Sequence, residues 1–536
     1  MVPRRQDLHD LRGDVGDSAA GGVPSHLGSP DSVTAVLTLA RRGLLAPGLP
    51  HRVASQVLAL RRWGFGLGGS LLSAAARSPG AVALIDPSGS LSYDALRRLS
   101  FAAAGRLRSS HGIGPGDRVG VLCRNHRGFV LSAASLSLLG ADAVLINTGF
   151  SPSQVASVVR EHGLRLVVHD PEFPAPPSVA ALVSSALSSG GPDVSLSPPA
   201  RPGRTVVLTS GTTGVPKGAR RPNPAGVGPL VSILDRLPVR TRSRLLIAAP
   251  LFHTWGYAAL QLAFGLRSCV VLTPRFSPSS LVELAGRHRC DGLFAVPVML
   301  SRLLDADCVL PPSVRVVAVS GSALPGSLAT RFMDAHGEVL FNLYGSTEVS
   351  WASVATPSDL RASPASAGRP PRGTRVQILS ASGAPVPAGV VGRIFVGNEM
   401  LFEGYSGDVP VSSHDGMLAT GDLGFLSESG LLTVSGREDD MVISGGENVF
   451  PSSVEDLLAG LPGVREVAVV GVPDASYGQR LAAFVVLHES SSPLSADEVR
   501  DHVRQHGARF AVPRDVHFVP SLPRTATGKV IKRALL

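Results

Sequence analysis

Short apolar and β-branched runs alternate with longer helical patterns along most of this 536-residue chain. The strand-like runs are residues 119–122, 143–146, 166–169, 245–249, 270–273, 315–319 and 339–341. Helical patterns such as residues 95–107 and 152–162 lie between them. Because parallel strands need a long crossover, usually a helix, this order predicts an α/β domain with a mostly parallel sheet.

Changes in composition divide the rest of the chain. We expect residues 1–30, which are rich in Gly, Ser, Asp and Pro, to be disordered. Residues 31–76 are predicted to form an amphipathic N-terminal extension, and residues 77–438 the large α/β domain. Short β runs between prolines and glycines near residues 384–404 predict a small β subdomain within that domain.

Residues 439–536 are predicted to form a small α+β domain at the C-terminal end. Its predicted strands are residues 464–471, 481–487 and 516–519, and a helix is predicted over residues 496–506. Ser-Ser-Val-Glu at residues 452–455 matches a capping box, which predicts that a further helix begins there.

The N-terminal extension contains one clear helical pattern. Residues 51–63 place Val53 and Val57 on one helical face, with Arg52 and Gln56 away from it. A basic amphipathic helix of this kind can lie on a membrane surface. Packing of the helix on its own domain is the alternative, and it is the interpretation we favour.

The charge balance narrows the classes of partner. The formal net charge is +9 and the isoelectric point about 10, but the arginines are spread along the chain and aromatic residues are only 5%. We therefore exclude nucleic acid and expect anionic small molecules or a membrane surface. The four cysteines show no C-x-x-C spacing, and the N-terminus has no secretory core. We expect a cytoplasmic protein that can contact the inner face of a membrane, and a homodimer is one option for its oligomeric state.

One stretch combines a predicted strand with a glycine- and hydroxyl-rich loop. Residues 205–218 read TVVLTSGTTGVPKG. The candidate anion-binding residues in it are Thr209, Ser210, Gly211, Thr212, Thr213, Gly214 and Lys217. Glycines let backbone N–H groups surround an anion, hydroxyls donate further hydrogen bonds, and lysine adds a mobile positive charge. This pattern predicts a phosphate site, and its spacing differs from that of a Walker A loop.

Lysine is rare in this chain, which draws attention to the few that occur. Among the 50 lysines and arginines, only Lys217, Lys529 and Lys532 are lysine. A lysine kept against so strong an arginine bias is a candidate for chemistry that needs a compact ammonium on a flexible stem. Chance retention is the simpler explanation for Lys532.

Further motifs follow the predicted phosphate loop. Residues 342–348 offer an aromatic ring, a hydroxyl and a carboxylate in quick succession, and a carboxylate near phosphates is a common Mg2+ ligand. The other motifs are Gly321-Ser322-Ala323 after a strand, Thr420-Gly421-Asp422, residues 436–440 around Arg437, residues 444–448, and residues 523–529, which end at Lys529.

In this order and spacing, the motifs resemble the adenylate-forming superfamily, which includes acyl-CoA synthetases, peptide-synthetase adenylation domains and beetle luciferases. The resemblance begins near residue 70 and reaches the C-terminus. It implies an acyl-CoA synthetase that uses ATP, Mg2+ and CoA. A carboxylic acid would react with ATP to give an acyl-adenylate and pyrophosphate, and CoA thiol would then take the acyl group.

The resemblance also implies roles for residues of this chain. It places Thr209 to Gly214 and Lys217 on the β- and γ-phosphates. Around the nucleotide it places Gly321, Ser322, Ala323, Asn342, Tyr344 and Gly345, with Tyr344 against adenine. Thr347 would contact a phosphate oxygen, Glu348 would bind Mg2+, and Asp422 and Arg437 would bind the ribose. Lys529 would bridge the acid and the α-phosphate, and Asp439 would be the hinge of a mobile C-terminal domain. On the CoA side the motif residues are Ser444, Gly445, Gly446, Glu447 and Asn448.

The segment at residues 250–257 matches the part of the family that borders the acyl pocket, where His253 would gate the nucleophile channel. It has no aspartate to pair an amino group, so an amino acid substrate is disfavoured. It also has no arginine to pair a second carboxylate. We predict a medium- or long-chain fatty acid as substrate, with an aryl or terpenoid acid as the second choice.

The sequence is compatible with two other functions. The first is an acyl-AMP ligase that loads a carrier protein, but the chain shows no obvious insertion before the hinge of the kind that blocks CoA. The second is an inactive acyl-nucleotide-binding or membrane-binding module. The presence of Lys217, Glu348, Asp422 and Lys529 together argues against it.

Overall fold

The computed structural model describes residues 32–190, 194–209, 217–406, 410–444, 447–474, 478–488, 494–525 and 528–536. The predicted disorder of residues 1–30 therefore lies outside the described residues. The same is true of the predicted site residues Ser210, Gly211, Thr212, Thr213, Gly214, Gly445 and Gly446.

The described part of the chain forms fourteen α-helices. In chain order they are α1 (Ser32–Arg41), α2 (Pro50–Trp63), α3 (Leu67–Arg77), α4 (Tyr93–His111), α5 (Arg127–Leu139), α6 (Pro152–His162), α7 (Gly228–Arg236), α8 (Thr254–Gly265), α9 (Pro278–Arg287), α10 (Pro297–Asp305), α11 (Gly326–His336), α12 (Pro357–Ala362), α13 (Pro451–Ala459) and α14 (Ala496–His506).

The strands of the large domain come first in the chain. They are β1 (Val82–Asp86), β2 (Gly89–Ser92), β3 (Arg118–Leu122), β4 (Asp142–Leu145), β5 (Leu166–His169), β6 (Ala180–Val183), β7 (Thr205–Thr209), β8 (Lys217–Arg221), β9 (Arg244–Ile247), β10 (Cys269–Leu272), β11 (Gly292–Ala295), β12 (Val316–Val319), β13 (Leu340–Tyr344) and β14 (Ser353–Ala355). A second group follows: β15 (Ser366–Gly368), β16 (Arg375–Leu379), β17 (Gly392–Gly397), β18 (Ser413–His414), β19 (Met417–Leu426), β20 (Leu432–Arg437), β21 (Val442–Ser444), β22 (Glu447–Val449), β23 (Val464–Asp474), β24 (Gly478–Leu487) and β25 (Asp515–Phe518).

Two mostly parallel sheets form the body of the large domain. One has the order β14-β13-β12-β11-β9-β10-β1-β2, and the other has the order β6-β5-β3-β4-β7-β8. Only β2, β14 and β8 pair antiparallel, each at an edge of its sheet. Inner strands such as β4, β9 and β11 carry buried apolar side chains because helices cover the sheets. The predicted parallel α/β architecture is confirmed.

The small β subdomain is an antiparallel sheet of order β15-β20-β19-β17-β16, with β18 paired to β19. It is longer than the predicted stretch, since it begins at Ser366 and ends at Arg437. Helix α3 is another difference from the sequence-based division. Its Leu67 and Leu71 lie in the core of the large domain, so that core includes residues assigned to the N-terminal extension.

The C-terminal domain is a sheet of order β22-β21-β24-β23, with β25 parallel to β24 and the helices α13 and α14 packed against it. The predicted capping box is wrong. Helix α13 begins at Pro451, the Ser452 Oγ donates to the carbonyl of Ser435 at 2.5 Å, and the Glu455 carboxylate accepts from the Val469 N–H at 2.8 Å. Ser452 and Glu455 therefore bond to backbone groups of neighbouring strands, and not to the N–H groups at the start of the helix. No helix within the described ranges is long and apolar enough to span a bilayer.

Candidate active site

Three loops leave the carboxyl ends of parallel strands in one sheet. They follow β9, β12 and β13 and carry His253, Gly321 and Thr347, respectively. Carboxyl ends of parallel strands meet at one edge of a sheet, which is where α/β domains bind ligands. The Thr254 Oγ1 donates to the Thr347 Oγ1 at 3.2 Å, so the first and third loops are in contact.

The turn after β13 is held in shape by close packing and by a half-buried arginine. A Cβ atom on Gly345 would lie 2.4 Å from the carbonyl oxygen of Ser350, so only glycine fits there. The Arg221 Nη2 donates to the Ser350 Oγ at 2.7 Å, and its Nη1 lies 3.5 Å from the carbonyl oxygen of Thr347. Burial lowers the pKa of Arg221 to about 10, and the negative charge of Glu348 acts in the opposite direction. Arg221 therefore remains charged at neutral pH. Arg221 was not predicted as a site residue from the sequence.

Tyr344, Asp422 and Arg437 are brought together, as the motifs predicted. The Tyr344 hydroxyl donates to the Asp422 Oδ2 at 2.6 Å, and the Arg437 Nε lies 3.7 Å from the Asp422 Oδ1. Asp422 and Arg437 face each other across β19 and β20. Burial raises the pKa of Asp422, while the Tyr344 hydrogen bond and the charges of Arg437 and Lys529 act to lower it. The group combines a carboxylate acceptor with a cation, which suits a polyhydroxylated ligand.

Tyr405 lies beside both Glu348 and Lys217. The Tyr405 hydroxyl donates to the Glu348 Oε1, and the Lys217 Nζ lies 6.0 Å from the centroid of the Tyr405 ring. Tyr405 was not predicted as a site residue, because nothing in its local sequence marks it. No cluster of three or more potential metal ligands occurs within the part of the chain described. A single carboxylate still fits Mg2+, which is commonly held by one or two carboxylates together with substrate phosphates.

The loop that carries His253 is fixed by a buried asparagine. The Asn125 side-chain amide donates to the carbonyl of Ala249 at 2.9 Å, and its oxygen accepts from the Leu251 N–H at 2.8 Å. Asn125 was also missed, since it is 126 residues away from Leu251 in sequence. Burial lowers the pKa of His253 to about 4, so its imidazole is neutral at physiological pH.

The low pKa of His253 predicts a pH dependence of stability. The unfolded chain protonates this side chain near its ordinary pKa of 6.5, whereas the folded chain does so only near 4. Stability should therefore be lost as pH falls through this interval. We expect the midpoint of thermal unfolding to fall less between pH 7 and pH 5 in His253→Asn than in the unchanged protein. Equal shifts in the two proteins would contradict the assignment.

The C-terminal domain brings Lys529 to this region. Gly528 has φ +82°, and a Cβ atom on it would lie 2.3 Å from the Val298 Cγ1 on α10 of the large domain. Arg524 is fixed on this turn, since it donates to the carbonyl of Gly528 at 2.5 Å and pairs with Glu466 at 2.7 Å. The positive charge of Lys529 acts to lower the pKa of Asp422.

Gly528→Ala should prevent this turn from seating against Val298, because an alanine there is both strained at positive φ and too close to the valine. We expect any reaction step that needs Lys529 in place to slow by at least ~10-fold, which corresponds to about 1.4 kcal/mol. Gly286→Ala is the matched control, since it lies on α9 with open space around the added methyl group. Equal rates in the two variants would show that the contact with Val298 is unimportant.

The remaining predicted residues lie along the strands at the edge of this region. Asn342 is buried within β13, and Gly321 has φ +95° in the loop that begins with Ser320 and continues to Ser322 and Ala323. Asp439 is exposed and lies 3.7 Å from Arg437. Ser444 and Glu447 pair across the β21–β22 hairpin, which also includes Asn448 and joins β24 through Ser444. These last contacts are within the C-terminal domain.

Comparisons with known proteins cover most of the chain. A family model described as AMP-binding enzyme matches residues 71–406, and one described as AMP-binding enzyme C-terminal domain matches residues 453–529. A feruloyl-CoA synthase from Amycolatopsis sp is 32% identical over 487 residues, covering 87% of this chain and 98% of that protein. A 2-succinylbenzoate–CoA ligase from Bacillus subtilis (strain 168) is 30% identical over 478 residues, covering 87% and 96%.

Solved structures show the same similarity. An o-succinylbenzoate CoA synthetase from Bacillus subtilis, in complex with its acyl-adenylate intermediate, has a TM-score of 0.79 at 29% identity and covers 87% of this chain and 97% of that chain. The synthetase in complex with ATP and a magnesium ion also has a TM-score of 0.79, at 30% identity, with 87% and 98% covered.

Proposed function

The chain belongs to the AMP-binding enzyme family, and from this premise we propose that it activates an apolar monocarboxylic acid as an acyl-adenylate and transfers the acyl group to CoA. It is an AMP-forming acid–thiol ligase that uses ATP, Mg2+ and CoA. The identity of the acid and the roles of individual residues are the proposed part.

One observation supports the first proposed step, formation of the acyl-adenylate. The turn that bears Lys529 is seated against Val298 of the large domain, and the positive charge of Lys529 acts to lower the pKa of Asp422. An acid carboxylate and the α-phosphate of ATP are both negative, so they repel each other as they meet. A lysine ammonium delivered there would stabilise the charge that develops in the transition state.

The other residues would position the nucleotide. Asp422 would accept hydrogen bonds from the ribose hydroxyls, with Arg437 holding the carboxylate in place and Tyr344 against the adenine. Lys217 and Thr347 would bind phosphate oxygens. Glu348 would hold Mg2+, which supplies positive charge to the phosphates. Asp439 would act as the hinge, and the β21–β22 hairpin would then replace Lys529 on the CoA side for thioester formation.

The choice of acid follows from the charges around His253. That side chain is neutral, and residues 250–257 contain no arginine, so no cation of this segment would pair a second carboxylate. Buried neighbours such as Leu251, Phe252 and Trp255 are apolar. A medium- or long-chain fatty acid is the first candidate. An aryl acid is the second, and the similarity to a feruloyl-CoA synthase favours it.

A panel of free acids separates these candidates. Octanoate, dodecanoate, ferulate and a dicarboxylate of similar size would each be supplied with ATP, with and without CoA. Pyrophosphate release measures activation, and loss of free CoA thiol measures transfer. Activation of the dicarboxylate in preference to all the others would contradict the monocarboxylate assignment. Acylation of a phosphopantetheine-bearing carrier protein, with no loss of CoA thiol, would contradict CoA as the acceptor.

A further inference from the structure

The first two helices of the described chain expose apolar side chains to solvent. On α1, Val33, Val36 and Leu37 are 66%, 53% and 49% exposed. Their spacing of i, i+3 and i+4 places them on one face, while Thr34 and Thr38 are on the inner side. Thr38 is buried, so α1 turns its threonine side toward the domain and leaves these three apolar side chains in solvent.

Helix α2 shows the same inversion. Val57 and Leu58 are 46% and 62% exposed, whereas Arg52 and Gln56 are partly buried. The inner face is anchored by Trp63, whose ring packs edge-on against another aromatic ring of the large domain at 6.1 Å. The expected packing of this helix on its own domain is therefore present, and it uses the side that carries Ala59 and Trp63.

The connection between the two helices continues the apolar surface. Leu45 and Leu49 lie in it and are 53% and 58% exposed. A surface helix normally buries its apolar stripe, so two successive helices with the stripe outside call for a partner. The family match begins only at residue 71, so this surface lies outside the part of the chain shared with the family.

The charge of this segment is entirely positive. Between residues 32 and 85 the sequence contains six arginines and no aspartate or glutamate. Arg42 and Arg77 donate to backbone carbonyls of the domain. Arg41, Arg61 and Arg62 are exposed beside the apolar side chains. The segment thus carries exposed apolar side chains and cations but no acidic residue of its own. This combination complements a surface that has an anionic outer layer over an apolar interior.

We propose that α1, α2 and their connection form a docking surface for an anionic lipid bilayer. The exposed valines and leucines would enter the boundary between headgroups and acyl chains, and the exposed arginines would contact lipid phosphates. The helices would lie on the bilayer, since neither is long enough to cross it. A second copy of the chain fits less well, because a symmetric contact would bring the arginines of both copies together.

The apolar part of the proposal is tested by sedimentation of the full chain with vesicles of phosphatidylcholine, with and without phosphatidylglycerol. The double variant Val57→Asp/Leu58→Asp should lower the partition coefficient onto anionic vesicles by at least ~10-fold. Val309→Asp is the matched control, because Val309 is 71% exposed and lies elsewhere on the domain. It should bind like the unchanged protein.

The electrostatic part of the proposal is tested by the double variant Arg61→Gln/Arg62→Gln. We expect its partition coefficient onto anionic vesicles to fall roughly fivefold for each arginine removed. Arg108→Gln/Arg160→Gln removes two exposed arginines from α4 and α6 and should have little effect. All variants should keep their melting temperature and their activity on a soluble acid, because none lies at the site.

Three outcomes would overturn the proposal. The first is that the unchanged protein does not bind anionic vesicles. The second is that the α2 variants and their controls bind equally. The third is that the protein does not bind vesicles but self-associates without lipid in a way that depends on Val57 and Leu58.

Discussion

Lys529→Ala should slow formation of the acyl-adenylate by at least ~10²-fold, which corresponds to about 3 kcal/mol or more of transition-state stabilisation. Lys529 follows a turn that packs against Val298, and its positive charge acts to lower the pKa of Asp422. Removing it would leave two negative reactants without the cation that, in our proposal, the C-terminal domain delivers. The measurement is pyrophosphate exchange or single-turnover formation of acyl-adenylate at saturating acid and ATP.

The chain provides a matched control in the same segment. Lys532 pairs with Glu455 at 3.0 Å, within the C-terminal domain, so Lys532→Ala removes a lysine without changing charge at the site. It should leave the adenylation rate within about twofold. Lys529→Arg keeps the charge but replaces a compact ammonium with a planar fork, and we expect it to restore the rate only in part.

The second half-reaction tests whether the C-terminal domain changes its orientation between the two steps, or whether Lys529→Ala damages the enzyme as a whole. We call the change of orientation the domain exchange. When acyl-adenylate is supplied ready-made, Lys529→Ala should transfer the acyl group to CoA at nearly the normal rate, because the proposed second orientation removes Lys529 from the site. Equal losses in both half-reactions would refute the exchange. The proposed roles of Asp439 and the β21–β22 hairpin would then fall with it.

Glu348→Gln should raise the Mg2+ concentration needed for half-maximal activity by at least ~10-fold. The substitution keeps the shape and the capacity to accept from Tyr405, but it removes the negative charge that a hard cation prefers in a ligand. Activity should recover in part at high Mg2+, which a merely structural defect would not allow. The measurement is the initial rate of pyrophosphate release as Mg2+ is varied at fixed ATP.

Tyr405→Phe is the control for the neighbouring hydrogen bond. It removes the hydroxyl that donates to Glu348 but leaves the ring beside Lys217. We expect a smaller change in the Mg2+ requirement than for Glu348→Gln, since the carboxylate remains. An unchanged Mg2+ requirement in Glu348→Gln would remove the metal-binding role from this residue.

The family and the reaction class were predictable from local sequence, and the comparisons confirm both. Motifs such as residues 342–348 are contiguous because one loop after one strand would supply several contacts to the proposed nucleotide. The same locality explains why the alternation of strands and helices predicted a parallel α/β domain. Each element carries its own periodicity, whatever its neighbours are.

Contacts between distant segments were not predictable in this way. Arg221 and Asn125 hold the loops that carry Thr347 and His253, and Tyr405 donates to Glu348. None of the three stands in a distinctive motif, since an arginine, an asparagine and a tyrosine are common on any surface. The capping box at Ser452 failed for a related reason, because a carbonyl on β20 was the better partner.

The sequence by itself determined the order of strands and helices, the phosphate-loop motif, and the rarity of lysine that pointed to Lys529. Those properties are local, because they depend on the periodicity and chemistry of neighbouring residues. Only the tertiary structure decided that the Lys529 turn packs on α10 and that α1 and α2 present their apolar faces outward. Burial is decided by which surfaces meet after the chain has folded, and an amphipathic pattern is the same whichever of its faces turns inward.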